Sequence, residues 1–368
     1  MTVVILVAGS GRRFMDTKPK SLCMVNEKTL LERTIGMVRN EAKNIKIRII
    51  TGFNAHEIED VVEKIGDERI ETIYNKRFNE DQNILSAQIG MIETESDVLV
   101  LEGDCIFNEE SMKSFISMIG SDRNTIFTIG EPDPNAENAI LKRDSKGKLI
   151  GYKIGKKDPS LSLDNWSNMT GAVLFSQSDL PRILSWLDRA KEDPAKTYYF
   201  QPLVDMEEFE VDLYGLGENA EFSTFNTQKQ YLDIMDSMGV ETNIKLVETD
   251  SLRHVEGFSQ KRVSWLKEKI LNEGIWNKPI CIDSEHMIVM DGQHRMEVAK
   301  ELGMKFTPCV GFNHQEVDFW SLRPKSHQVN FDLVLSKALS GDIYPYKTVK
   351  YSFPTDVPAC AITLEELM

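Results

Sequence analysis

Long apolar runs are missing from this chain of 368 residues, and no stretch approaches the roughly 20 apolar residues of a membrane-spanning helix. The first residues, Met1 to Gly9, have neither the basic segment nor the extended apolar core of a signal peptide, so the expectation is a cytoplasmic protein with no membrane partner. Cysteine is scarce. Cys23, Cys105, Cys281, Cys309 and Cys360 are scattered without a C-x-x-C pair or zinc spacing, which points to free thiols in a reducing compartment. Positive charge is in short supply too: 43 Lys and Arg stand against 58 Asp and Glu, a net charge of −15. A nucleic-acid binder needs a basic face, so no nucleic-acid partner is expected. Internal repeats and low-complexity linkers are also absent.

What is present is the composition of a globular protein, 41% hydrophobic and 27% charged, at a length that suits two or three domains. Short apolar strands at 3–7, 46–51, 70–74 and 97–101 alternate with helix-like segments at 29–40, 55–65 and 84–92. That alternation predicts an α/β domain with a doubly wound, mostly parallel sheet. Residues 130–168 break into short runs rich in turn residues, expected to form a β-rich insertion or lid. A helix over 228–238 is expected to close this first domain, 1–238. A smaller α+β domain, 242–368, is expected to follow, with a helix at 262–272, a hairpin spanning 279–290 and a helix at 295–302.

Two segments look suited to phosphate. The first is Leu6-Val7-Ala8-Gly9-Ser10-Gly11-Arg12-Arg13-Phe14 with Pro19-Lys20. Glycines let a backbone approach phosphate closely, and successive N–H groups in such a turn form an anion-binding nest around Ala8, Gly9, Ser10 and Gly11. Arg13 and Lys20 are the candidate catalytic cations. A tight structural turn would look the same, and neither a P-loop lysine nor a third dinucleotide glycine is present.

Taken whole, A-G-S-G-R-R-F with P-K-S-L resembles the signature of the nucleotidyltransferases that activate sugar phosphates, phosphocholine and molybdopterin. Ile49-Ile50-Thr51-Gly52-Phe53, Gln82-Asn83-Ile84-Leu85-Ser86, Glu102-Gly103-Asp104 and Phe225-Asn226-Thr227 match further family segments in order. The resemblance implies the nucleotidyltransferase fold, nucleotide contacts from Asn83 and Ser86, and Mg²⁺ held by Asp104 with Asn226. Many members carry aspartate at the position of Asn226. An acceptor phosphate would attack the α-phosphorus of a nucleoside triphosphate and pyrophosphate would leave, so positioning and charge neutralisation would supply most of the rate. CTP is the expected nucleotide by analogy with enzymes acting on small non-sugar phosphates.

The second segment is Asp291-Gly292-Gln293-His294-Arg295, between a strand-like and a helix-like run. A helix N-terminus beside an arginine is a natural phosphate holder. By itself Asp291 is more readily a helix cap than a magnesium ligand, and His294 is equally a satisfied buried histidine. With Arg253-His254-Val255-Glu256 and Pro279 to Asp283, the segment resembles the ParB-like (ParB/sulfiredoxin-like) fold, and within it the branch of free serine kinases. That resemblance implies Glu256 as general base, with Asp291 and His294 acting in phosphate transfer. It also implies that Gly292, Arg295, Lys347 and Thr348 bind phosphate and that Trp320 contacts substrate. Tyr351 stands where that family has histidine.

A kinase makes the phosphomonoester that a nucleotidyltransferase consumes. The expected activity is therefore bifunctional: L-serine to O-phospho-L-serine with ATP or ADP, then CDP-serine with CTP. Small-molecule substrates are the expected partners, compatible with a homodimer. The alternatives are a nucleotidyltransferase for another small alcohol or sugar phosphate with a non-kinase second domain, and a CTP-sensing regulator. The acidic charge counts against the regulator.

Overall fold

The computed structural model describes residues 1–11, 14, 18–81, 83–132, 139–155 and 162–368. The chain divides into two compact units, Met1–Arg12 with Asp16–Phe225, and Arg13–Met15 with Asn226–Met368.

The first unit is built on a nine-stranded mixed sheet. Its parallel core runs Val98–Glu102, Thr2–Leu6, Lys46–Thr51, Ile70–Tyr74 from centre to edge. Val3, Val4 and Ile5 are fully buried, because a central parallel strand is covered on both faces and carries apolar residues in succession rather than in alternation. Helix Leu30–Glu41 starts at Thr29 through a capping box with Glu32, which satisfies two end groups at once. Trp166–Phe175 joins Val98–Glu102 antiparallel and carries the sheet onward. The stretch expected as a lid contributes Ile140–Arg143 and Leu149–Lys153, a hairpin that extends this same sheet by pairing with Trp166 to Asn168.

The second unit has a four-stranded sheet in the order Lys245–Glu248, Phe306–Phe312, Ile280–Asp283, Val289–Asp291. The expected hairpin is its Ile280–Asp283 and Val289–Asp291 pair. Helices Gln260–Glu273, Gln293–Leu302 and Phe331–Ser340 accompany the sheet. Helix Gln228–Ser237 groups with this unit instead of closing the first. Its Leu232 belongs to the same buried cluster as Val263, Trp276 and Val298, which gives the helix its apolar partners here. Among the described residues no helix is long and apolar enough to cross a membrane.

Candidate active sites

The strands Thr2–Leu6 and Val98–Glu102 are parallel neighbours, with Leu6 opposite Glu102. Their C-terminal ends deliver the glycine loop and the Glu102-Gly103-Asp104 segment to one place. A Cβ at Gly103 would lie 2.4 Å from Val7 Cγ1 and 2.6 Å from the Leu6 carbonyl oxygen, so only glycine allows the two backbones to pass this closely. A cavity of about 100 Å³ opens there, lined by Gly9, Gly11, Lys20, Asn83, Glu102 and Asp104 among others. Ala8 and Ser10 do not line it. The Ala8 carbonyl instead accepts from the Phe53 N–H at 3.0 Å, fastening the loop to the neighbouring strand end.

Lys20 crosses the cavity and donates to Asp104 Oδ2 and to the Phe225 carbonyl, each at 3.0 Å. Asn83 sits in the left-handed region at φ 66°, a conformation that costs energy in a non-glycine residue and tends to accumulate at functional positions. Ser86 has a different role from the one expected. It is 1% exposed; its hydroxyl donates to Asp81 Oδ2 at 2.6 Å and lies 3.0 Å from Asn75 Nδ2. Those bonds commit it to bracing the start of the helix. Asp81, which also accepts from the Leu85 and Ser86 N–H groups, was not singled out by the sequence. Arg13 lies outside the described residues. Asn226 belongs to the second unit, where its N–H donates to Gln230 Oε1 at 2.6 Å.

Glu102 is the residue that sequence reasoning passed over. Burial, the Asp104 charge beside it and too little compensation from Tyr199 and Lys20 push its carboxyl up to about 7. With Asp104 and Cys105 it forms, among the described residues, the one group whose ligand atoms all lie within 4.8 Å of one another. Burial holds the Cys105 thiol protonated and far from titrating. The hard oxygens of Asp104 and Glu102 therefore suit magnesium, whereas the thiol does not.

In the second unit Gly292 precedes helix Gln293–Leu302 at φ 107°, with no side chain capping the helix. Asp291 does not act as the cap. It is exposed and pairs with Lys278 at 3.6 Å. His294 Nε2 accepts from the Ser259 N–H at 3.2 Å, and the ring meets Tyr346 edge-on at 5.4 Å. Burial, followed by Arg262 and His254, lowers the His294 pKa, so the ring is a neutral acceptor at Nε2 with its proton on Nδ1. Arg295 is partly buried beside Asp291 and Arg262. Behind the helix start, His254 bridges Gln293 and Glu297.

Glu256 reaches the segment after Tyr346. Its Oε2 accepts from Thr348 and Val349 N–H groups at 2.8 and 2.9 Å, and Oε1 from Lys347 N–H at 3.3 Å. These bonds hold Lys347 in the left-handed region at φ 60°. Thr348 is fully buried and its hydroxyl donates to the Pro345 carbonyl at 2.6 Å, so neither its hydroxyl nor its N–H is left over for phosphate. Trp320 is 46% exposed, on a strand that pairs it with Lys350. It is not core. Tyr351 is buried, and its hydroxyl has no hydrogen-bond partner among the described residues.

A glycine loop and a carboxylate pair brought together by adjacent parallel strands suit an α/β domain that handles nucleotides. The family model of the MobA-like NTP transferase domain matches residues 3–193, and the chain belongs to that family. It is 22% identical over 265 residues to the bifunctional protein GlmU of Cupriavidus pinatubonensis, covering 71% of this chain and 53% of that protein. The GlmU of Buchnera aphidicola subsp. Schizaphis graminum is 26% identical over 249 residues, covering 67% and 49%. The chain thus spans about half the length of these curated relatives. The CTP:phosphocholine cytidylyltransferase from Streptococcus pneumoniae superposes with a TM-score of 0.52 at 21% identity, covering 64% of this chain and 98% of that one; the likeness is one of fold.

Proposed function

We propose that the chain is a bifunctional enzyme that phosphorylates free L-serine and then transfers a cytidylyl group onto the product. In the first unit, a phosphate oxygen of O-phosphoserine attacks the α-phosphorus of CTP, the bond to the β-phosphate breaks, and pyrophosphate leaves with CDP-serine as product. Lys20 meets the phosphates entering the glycine loop. Asp104, with Glu102 beside it, would hold magnesium, which when bound neutralises phosphate charge and stabilises the leaving group. The observation that carries this half is the Lys20–Asp104 pair inside a cavity lined by Gly9 and Gly11.

In the second unit, the serine hydroxyl attacks the terminal phosphorus of ATP or ADP. Its proton passes to Glu256, and ADP or AMP leaves. The uncapped N–H groups at the helix start, Arg295 and Lys347 receive phosphate; His294 and Asp291 flank it; Trp320 lies over the substrate. This half is supported by the resemblance of Asp291 to Arg295 to the kinase signature and by the meeting of His294 with Tyr346.

One observation favours the second reading, a nucleotidyltransferase for another alcohol or sugar phosphate with a non-kinase second domain. Three N–H groups already occupy Glu256, leaving Oε1 as the freer oxygen. Phosphorus NMR of the protein with magnesium, ATP or ADP, and L-serine, with and without CTP, separates the two. Phosphoserine without CTP and a diphosphodiester with it support the bifunctional enzyme. No phosphomonoester from either donor removes the kinase.

A further inference from the structure

We propose that the Ser21 hydroxyl is a phosphate-binding group of the first unit, donating to a phosphate oxygen of the substrate. The inference deepens the reading of this unit as a nucleotidyltransferase and rests on it. Ser21 lies in the short helical turn Lys20–Leu22, directly after the lysine that crosses the cavity. It lines that cavity together with Gly9, Gly11 and Lys20. The residue is 3% exposed, and its hydroxyl has no hydrogen-bond partner among the described residues. Ser86, by contrast, gives its hydroxyl to Asp81.

A buried hydroxyl without a partner lacks the hydrogen bonds it would make in water, and its presence needs a reason. Packing does not supply one, because alanine would fill the same place in the turn with no polar group left unmet. Ligand binding does. One rotation about χ1 turns the O–H toward an incoming oxygen. The surroundings suit an anionic oxygen: the Lys20 ammonium comes from the adjacent residue, and the glycine loop lets phosphate approach its backbone. At Gly11, φ 55°, an added Cβ would lie 3.1 Å from Lys20 Cγ, so the loop rests directly on the lysine stem that precedes Ser21. The cavity of about 100 Å³ is well below the roughly 300–1,000 Å³ of a pocket that encloses a whole drug-sized ligand, so it suits one phosphate group and not a base with its sugar. Both the nucleoside triphosphate and the acceptor phosphomonoester bring such a group.

The test uses the full chain with magnesium and compares Ser21→Ala and Ser21→Cys with the parent. Calorimetry gives Kd for CTP, ATP and inorganic pyrophosphate, and pyrophosphate release with CTP gives KM for O-phosphoserine and glycerol phosphate. Ligand-free melting temperatures of Ser21→Ala should match or exceed the parent's, since no hydrogen bond of the free protein is lost. Kd for CTP and pyrophosphate should rise about tenfold or more in both variants, as for the loss of one hydrogen bond to a charged group. A rise confined to the acceptor KM assigns the hydroxyl to the acceptor phosphate and upholds the proposal. Unchanged Kd and KM overturn it while leaving nucleotidyl transfer in place, and a lower melting temperature alongside them makes Ser21 a structural residue. With no turnover of either acceptor, the serine reading falls and the Kd comparison still decides. A parent that binds neither nucleotide nor pyrophosphate overturns the nucleotidyltransferase reading and the proposal together.

Discussion

The Lys20 ammonium and the Asp104 carboxylate lie 3.0 Å apart, across a cavity whose other wall is a glycine loop. Lysine and carboxylate arrive from segments 84 positions apart in the chain. In the proposed reaction this ion pair must open: Lys20 is to meet incoming phosphate and Asp104 a cation. Lys20→Ala should lower kcat/KM for pyrophosphate release by about 10²- to 10³-fold, the usual cost of one preorganised charge on a phosphoryl centre. Asp104→Asn should do at least as much, and added magnesium should restore part of its loss. A Lys20→Ala protein with full activity would remove the residue from the site.

Glu256 is assigned both a chemical and a mechanical task, and two substitutions separate them. Glu256→Ala strands the buried Thr348 and Val349 N–H groups and should cost about 2–4 kcal/mol of stability along with phosphoserine formation. Glu256→Gln keeps an acceptor oxygen for the segment, so it should stay close to the parent in thermal melts while losing about 10²-fold or more in serine phosphorylation. Activity surviving in the glutamine variant would leave Glu256 a clamp and nothing more.

Ser86 and Asp81 make a contrasting pair. Ser86→Ala should leave the KM for CTP where it is and cost about 1 kcal/mol in stability, since its hydroxyl serves Asp81. Asp81→Ala, which strips an acceptor from Asn75, Leu85 and Ser86, should cost more, about 2–3 kcal/mol, read from urea midpoints. A raised KM in Ser86→Ala with unchanged stability would restore it as a nucleotide contact.

Asp67 provides a pH signature. Hydrogen bonds from the Arg69 side chain and N–H, with Arg39 adding its charge, hold the Asp67 carboxyl down at about 2, against 3.8 for an ordinary aspartate. A depressed folded-state pKa means that the stabilisation is complete above about 4 and fades as pH falls toward 2. Asp67→Asn should therefore melt a few degrees lower than the parent at pH 7, with the gap narrowing steadily below pH 4. A gap that does not change with pH would mean the ion pairs are not its cause.

Much of the first unit can be read from the chain, because buried parallel strands such as Val3 to Val7 and Val98 to Leu101 are unbroken apolar runs ending in glycine. The hairpin at 140–153 gives up less. Its residues announce strands and turns but not that their partner is the edge of the main sheet. Helix Gln228–Ser237 falls with the second unit for a similar reason: amphipathic spacing shows that a face is buried, not against which core. Ser86 and Thr348 sit inside motif-like segments, yet each hydroxyl is claimed by a neighbour that sequence order does not reveal. Glu102 is visible in its motif, but the burial that, with the Asp104 charge, raises its carboxyl is created only by the fold.

The register that sets Leu6 opposite Glu102 has a consequence for motion. The glycine loop and the acidic segment leave adjacent strands at the same level, so the spacing between them is that of a hydrogen-bonded sheet and cannot breathe with the loops around it. Whatever closes over a bound nucleotide, this base stays still. An acceptor that is slightly too long must therefore be accommodated at its far end, away from the phosphate, so variation among chains of this design should collect around the distal wall of the pocket and leave its floor unchanged.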